Sequence, residues 1–146
     1  MGKNGRIMTR ARAVRAVLVA AAVLLLLLGL RLLADRADSS TPQGRLLFPE
    51  RLGWQVDPAS EEHRSIRLPD ELGEVLENYN EMQKAQGYDL ARHLGERCEQ
   101  YSYRVTNYPD CGQEVWVTLY VRGRRVIAGD VHSTALDGFL HGLKLN

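Results

Sequence analysis

The densest group of chemically able side chains is Asp130, His132 and Ser133 after Gly129, followed by Asp137 and His141. Asp130 and His132 stand two apart and share a face if a strand continues; Asp137 and His141 stand four apart and share a face if the last segment is helical. Two carboxylates and two imidazoles brought together would hold a divalent metal, and the cluster would then serve a small metal-dependent or hydrolytic enzyme. The plainer account gives Asp130 and Asp137 to capping at a strand end and a turn, with the histidines partly exposed. No HExxH-type spacing supports a metal centre. Ser133, as a nucleophile paired with His132 or His141, lacks the GxSxG elbow that exposes such a serine. No residue is therefore assigned to catalysis or to a metal, and no cofactor is expected: there is no P-loop, GxGxxG fingerprint, EF-hand loop or N-x-S/T acceptor.

Glu74, Glu77 and Glu81 form an acidic stripe. Paired carboxylates do acid/base work across a cleft, but these line one helix face and read as a solvated surface. Tyr79, Tyr101, Tyr103 and Tyr108 resemble a ligand-stacking set, yet Tyr101 and Tyr103 are in phase with Val105, and core packing accounts for them more economically. Trp116 and Tyr120 lie opposite Val117 and Leu119. Unless Trp54 or the C-terminal segment covers that face, these two aromatics form a partner-binding surface.

The elements that must position these groups are legible in the hydrophobic period. Within residues 68–87, Leu72, Val75, Leu76, Tyr79, Met82 and Gln83 fall on one helix face, with Pro69, Asp70 and Glu71 in the first turn and Gly87 as the stop. After Gly95 the period changes to 2: strands are expected over 99–107, 115–121 and 125–131, joined by hairpins at 107–112 and 122–125. Residues 54–57 and 65–68 are weaker strand candidates. Leu136, Phe139, Leu140 and Leu143 suggest a last helix with Ser133 as its N-cap, weakened by Gly138 and Gly142. The fold class is α+β, with the 72–82 helix face packed on Tyr103, Val105, Val117 and Leu119, and a cystatin-like arrangement of one helix wrapped by an antiparallel sheet. Cys98 would open a strand and Cys111 would lie in the turn at its far end, roughly 30 Å away. A disulfide needs Cα atoms within about 7 Å, so the hairpin argues against that bond.

Charge is divided unevenly. Of 146 residues, the first 34 carry six basic groups and no acid, whereas the remainder has a net charge of −5. That balance excludes a basic nucleic-acid binder. Residues 16–30 are uncharged and span only about 22 Å as a helix, but Arg15 and Arg31 can snorkel, so that residues 13–34 would reach across a bilayer core of about 30 Å. A cleaved signal peptide is the competing reading, and the sites that follow are poor small-x-small sequences. Lys3, Arg6, Arg10, Arg12 and Arg15 precede the run and only Arg31 and Arg36 follow, which keeps the N-terminus cytoplasmic and exports the rest. The expected organisation is a cytoplasmic basic tail (1–12), a transmembrane anchor (13–34), a linker (35–44) and an extracytoplasmic domain (45–146).

A longer series of residues is distinctive: Leu52-Gly53-Trp54-Gln55-Val56, Ile66-Arg67-Leu68-Pro69, Tyr79-Asn80-Glu81-Met82-Gln83-Lys84 and Gly87-Tyr88-Asp89-Leu90. It continues through Tyr101-Ser102-Tyr103-Arg104-Val105-Thr106-Asn107-Tyr108-Pro109 and Gly129-Asp130-Val131 to Leu136-Asp137-Gly138-Phe139-Leu140-His141-Gly142-Leu143. In this order it resembles the bacterial family catalogued as domain of unknown function 4830, over roughly residues 52–143. The resemblance implies a Gram-positive protein behind an N-terminal membrane segment or signal. It supplies no activity, so no catalytic residue is carried over. Ala128, in place of a second glycine, and Leu140, in place of methionine, depart from the family pattern, as do Cys98 and Cys111.

The function expected from these readings is a non-enzymatic, single-pass module. It is held in the lipid bilayer by residues 13–34 and binds an extracytoplasmic protein or ligand through Trp116 and Tyr120. The small enzyme at Asp130, His132, Asp137 and His141 and an inhibitor-type module are the alternatives, the last on fold analogy alone.

Overall fold

The computed structural model describes residues 14, 16–29, 38–109 and 112–144. The chain divides into two compact units, residues 1–36 and 37–146. In the first, residues 16–29 form a helix, α1, whose apolar side chains from Val17 to Leu28 are exposed. No helix among the described residues is long and apolar enough to cross a membrane. Positions 13, 15 and 30–34 of the expected span lie outside the described residues.

The second unit starts earlier than the linker expectation allowed. Thr41 caps a helix, α2 (Pro42–Arg51): its Oγ1 accepts from the Gly44 N–H at 3.1 Å, and Pro42 occupies the first turn. Asp38 pairs with Arg124 at 2.8 Å, and the Ser39 N–H donates to the Arg124 carbonyl. Gly44 lies so close to the Asp38 carbonyl that an added Cβ would fall 1.9 Å from its oxygen. Residues 38–44 are therefore docked, and the run of Ser, Thr, Pro and Gly that reads as a linker is a helix start.

Five strands follow in an antiparallel sheet ordered as in the chain: β1 (Glu62–Arg67), β2 (Arg97–Arg104), β3 (Val115–Arg122), β4 (Arg125–Ser133) and β5 (Leu140–Gly142). Helix α3 (Glu74–Ala85) lies in sequence between β1 and β2. The α+β class and the two hairpins follow from the alternation read above. The β3–β4 turn is Gly123-Arg124, with Gly123 at φ +59°. A bulge at Tyr120/Val121 leaves Ile127 without a register partner. The 54–57 strand candidate reduces to a single bridge, Val56 to Val105.

Three other expectations are corrected. Helix α3 begins at Glu74, because Leu68 and Pro69 are tied to Glu96 and Gly95 by backbone bonds that prolong the β1 pairing. Its buried face carries Gln83 as expected and also Asn80, whereas Val75, expected on that face, is 81% exposed. The face of Tyr103, Val105, Val117 and Leu119 is covered by Trp54, Leu143 and the α2 residues Leu46 and Phe48, and not by α3. Both sheet faces carry apolar residues, and α3 takes the second, where Tyr79 packs with Cys98, Ala128 and Tyr120. The last helix is absent: residues 134–139 form a loop and β5 pairs with β4. A Cβ on Gly138 would lie 2.7 Å from the Ser133 and Ala135 carbonyls, so Gly138, which weakens a helix, here closes a hairpin, while Gly142 lies in β5. Cys98 is buried with a free thiol, raised above its ordinary pKa by burial, and Cys111 lies outside the described residues.

Candidate functional site

Antiparallel pairing places side chains of equal phase in rows across the second sheet face. One row runs Glu62, Ser102, Thr118, Asp130, and the next Arg104, Trp116, His132, Leu140. Helix α3 covers only the half of this face around Cys98, Tyr120 and Ala128. The uncovered half is a groove of about 340 Å³, with Trp116, Thr118 and His132 in its floor, Glu62, Arg64, Gln100 and Ser102 on one side, and Glu114 and Thr134 on the other.

Its chemistry centres on Asp130, which is 3% exposed. The Tyr79 hydroxyl donates to Asp130 Oδ2 at 2.6 Å, and His132 Nδ1 lies 2.8 Å from Oδ1. A carboxylate only accepts, so the second bond assigns the imidazole proton to Nδ1 and leaves Nε2 as the ring nitrogen free for the groove. Burial, then the neighbouring Asp130 charge, pushes the Tyr79 phenol far above its ordinary pKa, and the same causes push Tyr120 up to about 12. The Ser102 and Thr118 hydroxyls bond each other at 2.8 Å. The floor is thus fixed by strands and by a Tyr–Asp–His chain centred on the buried Asp130.

Of the four residues expected as a metal or hydrolytic cluster, only Asp130 and His132 meet. His141 faces the other side of the sheet by alternation, where it stacks on Phe139 and its Nε2 bonds the Tyr108 hydroxyl at 3.0 Å. Asp137 sits in the exposed 134–139 loop and accepts from Gln113. Among the described residues no three His, Cys, Asp or Glu side chains are grouped to hold a metal. Ser133 bonds Gln113 at 2.6 Å and alternates away from His132, so the two do not pair. The cluster was a product of sequence proximity: a period of 2 through β4 and the hairpin after it send its members to different faces.

Trp116 and Tyr120 do share the second face, but they differ in cover. Tyr120 lies beneath Tyr79 in an edge-to-face contact with centroids 6.3 Å apart, whereas Trp116 lines the groove. Both rings are half-buried, and of the two only Trp116 is among the residues lining the groove. The tyrosine set is likewise divided. Tyr108 stacks with Trp54 at 5.5 Å and with Phe139 at 4.8 Å. Tyr101 and Tyr103 are held beneath α2: Arg45 lies 3.8 Å over the Tyr101 ring and its Nε donates to the Tyr103 hydroxyl, which itself donates to Glu61. Glu74, Glu77 and Glu81 are exposed.

Sequence reasoning missed Gln100, Ser102, Thr118 and Glu114 as site residues. The signal was present in part: Ser102 and Thr118 occupy the alternate positions of two strands, and pairing those strands makes a polar row beside Trp116. Tyr79 gave no such signal, because its link to Asp130 joins positions 51 apart.

A family model described as a domain of unknown function (DUF4830) matches residues 48–131, more than half of the chain, and the chain belongs to that family. The matched stretch runs from within α2 into β4, and includes Tyr79, Trp116 and Asp130 but not His132. No curated protein and no solved structure matches the chain.

Proposed function

We propose that this DUF4830 chain is a single-pass, membrane-anchored extracytoplasmic binding or accessory module, non-enzymatic, whose ligand or partner occupies the groove at Trp116. One observation carries the reading: a rigid sheet face, half covered by α3, leaves an aromatic ring and a row of hydrogen-bonding side chains open together. Such pairings of apolar platform and fixed polar groups are what binding sites present. The anchor is supported by α1, whose exposed valines and leucines need an apolar environment, and by the basic residues ahead of it. The finer cystatin-like reading is supported by the placement of α3 between the first and second strands of a five-strand meander. Fold analogy alone does not extend it to an inhibitor.

The Asp130–His132 pair favours a second, hydrolytic reading, with Nε2 as a general base. It reaches less far, because His132 is bonded to no hydroxyl or thiol among the described residues and the Ser102 and Thr118 hydroxyls of the groove satisfy each other.

Capture of tagged full-length protein from crosslinked cells tests the proposal. Trp116→Ser abolishes enrichment of the bound species while leaving the folded protein's amount and thermal transition unchanged. Enrichment that survives Trp116→Ser contradicts it.

A further inference from the structure

We infer that the groove is a carbohydrate subsite taking one or two rings of an uncharged glycan, with the Trp116 indole as the platform for a pyranose face. This deepens the binding-module reading and rests on it. A pyranose presents an apolar C–H face and a rim of hydroxyls, and the groove offers the complement of both. Trp116 is the one large apolar ring in the lining, and every other lining group is a hydroxyl, amide, imidazole, carboxylate or guanidinium. No aliphatic side chain lines the groove, although the exposed Leu140 stands beside His132 in the same row, so an apolar ligand finds little enclosing wall.

Charge narrows the class further. Arg64, the single permanent cation of the lining, faces Glu62 at 3.7 Å, and Glu114 adds a second acidic side chain. The lining therefore carries more acidic than basic side chains, which disfavours phosphates, nucleic acid and acidic sugars and suits hydroxyl donors. Carboxylate and amide oxygens accept from sugar hydroxyls, and the Gln100 amide and Arg64 donate to them. The cavity of about 340 Å³ lies at the small end of ligand sites and bounds the occupant at one or two rings.

The floor is also preorganised. Thr118 is 2% exposed and bonded to Ser102, and Asp130 fixes His132 so that Nε2 accepts from a ligand hydroxyl. A groove whose polar groups are held by strands loses little side-chain entropy on binding. Its groups also discriminate against ligands lacking hydroxyls, because their hydrogen bonds would go unmade.

The test titrates full-length protein in phosphatidylcholine nanodiscs, which avoid sugar-headed detergents, with linear oligomers of glucose, mannose and N-acetylglucosamine. Tryptophan fluorescence and saturation-transfer NMR are the readouts. Trp54 is buried on the other face, so a saturable fluorescence change reports Trp116. At least one series binds, about tenfold or more weaker in Trp116→Ala and in Glu114→Gln, the latter an exposed position that the fold does not need. Arg92→Ala, which lines a separate cavity beside α3, binds as the native chain does. No binding by any series up to about 10 mM overturns the glycan assignment, as does binding indifferent to both groove variants. A crosslinked protein on Trp116 alongside failed glycan titrations leaves the binding-module reading standing without the sugar. Neither a partner nor a glycan at Trp116 removes both.

Discussion

The Tyr79 hydroxyl donates to Asp130 at 2.6 Å and so bolts α3 to the strand that carries His132. The bond joins α3, which lies over the second sheet face, to the floor of the groove, and Asp130 is buried at the junction. Tyr79→Phe removes the donor and leaves a buried carboxylate with His132 as its remaining side-chain partner. The expected loss is about 1–3 kcal/mol in chemical denaturation, with His132 resonances shifted in NMR spectra. Unaltered stability and unshifted His132 signals would show that the bond does not support the site.

A second attachment lies at the strand edge. Gln83, fully buried on α3, donates from Nε2 to the Gly129 carbonyl and accepts at Oε1 from the Gly129 N–H, each at 3.0 Å. Because β5 pairs with β4 only from Asp130 onward, this amide does for Gly129 what another strand residue would do. Gln83→Ala deprives both backbone groups of that partner, although Gln86 Nε2 still reaches the carbonyl at 3.2 Å. The expected loss is about 2 kcal/mol, with faster amide exchange at Gly129. Protection at Gly129 equal to that of the native chain would refute the role given to Gln83.

These two contacts show how far the sequence carried the fold. Alternation in 99–107, 115–121 and 125–131 was enough to place β2, β3 and β4, because side chains on a pleat are read directly from a period of 2. The α3 face was read correctly at Gln83 and misjudged at Val75 and Asn80. Hydropathy ranks a valine above an asparagine, while the turn at Leu90 needed an amide, whose Oδ1 accepts from the Leu90 N–H. At the site, Asp130 with His132 was legible from a spacing of two. The roles of Tyr79, Gln100 and Glu114 depend on pairings between distant segments, which no local pattern records. The run at 38–44 misled because Thr-Pro before a helix and Ser-Thr-Pro in a linker have the same composition.

Alkaline pH tests the buried phenols. Tyr79, Tyr103 and Tyr120 all ionise above the ordinary value of 10.0, each chiefly because of burial. Below pH 10 both folded and unfolded chains keep these protons, and the contribution to stability is fully present. Above it the unfolded chain releases protons that the folded chain retains, so stability falls as pH rises, through about 12 for Tyr120. Tyr79→Phe should lower the pH slope of stability between about pH 10.5 and 11.5 by about 1.4 kcal/mol per pH unit, the equivalent of one proton. Denaturant titrations across that window, with near-ultraviolet absorbance following phenolate formation, measure it. An unchanged slope would place the Tyr79 hydroxyl in contact with solvent.

The central claim is that the open half of the sheet at Trp116 is where this chain meets its ligand or partner. The most direct measurement replaces Trp116 by a photoreactive aromatic residue in full-length protein expressed in cells, with the same residue at the fully exposed Leu136 as the reference site. Irradiation should give a discrete adduct from position 116 that is absent from position 136. Adducts equal in kind and amount at both positions would contradict the claim.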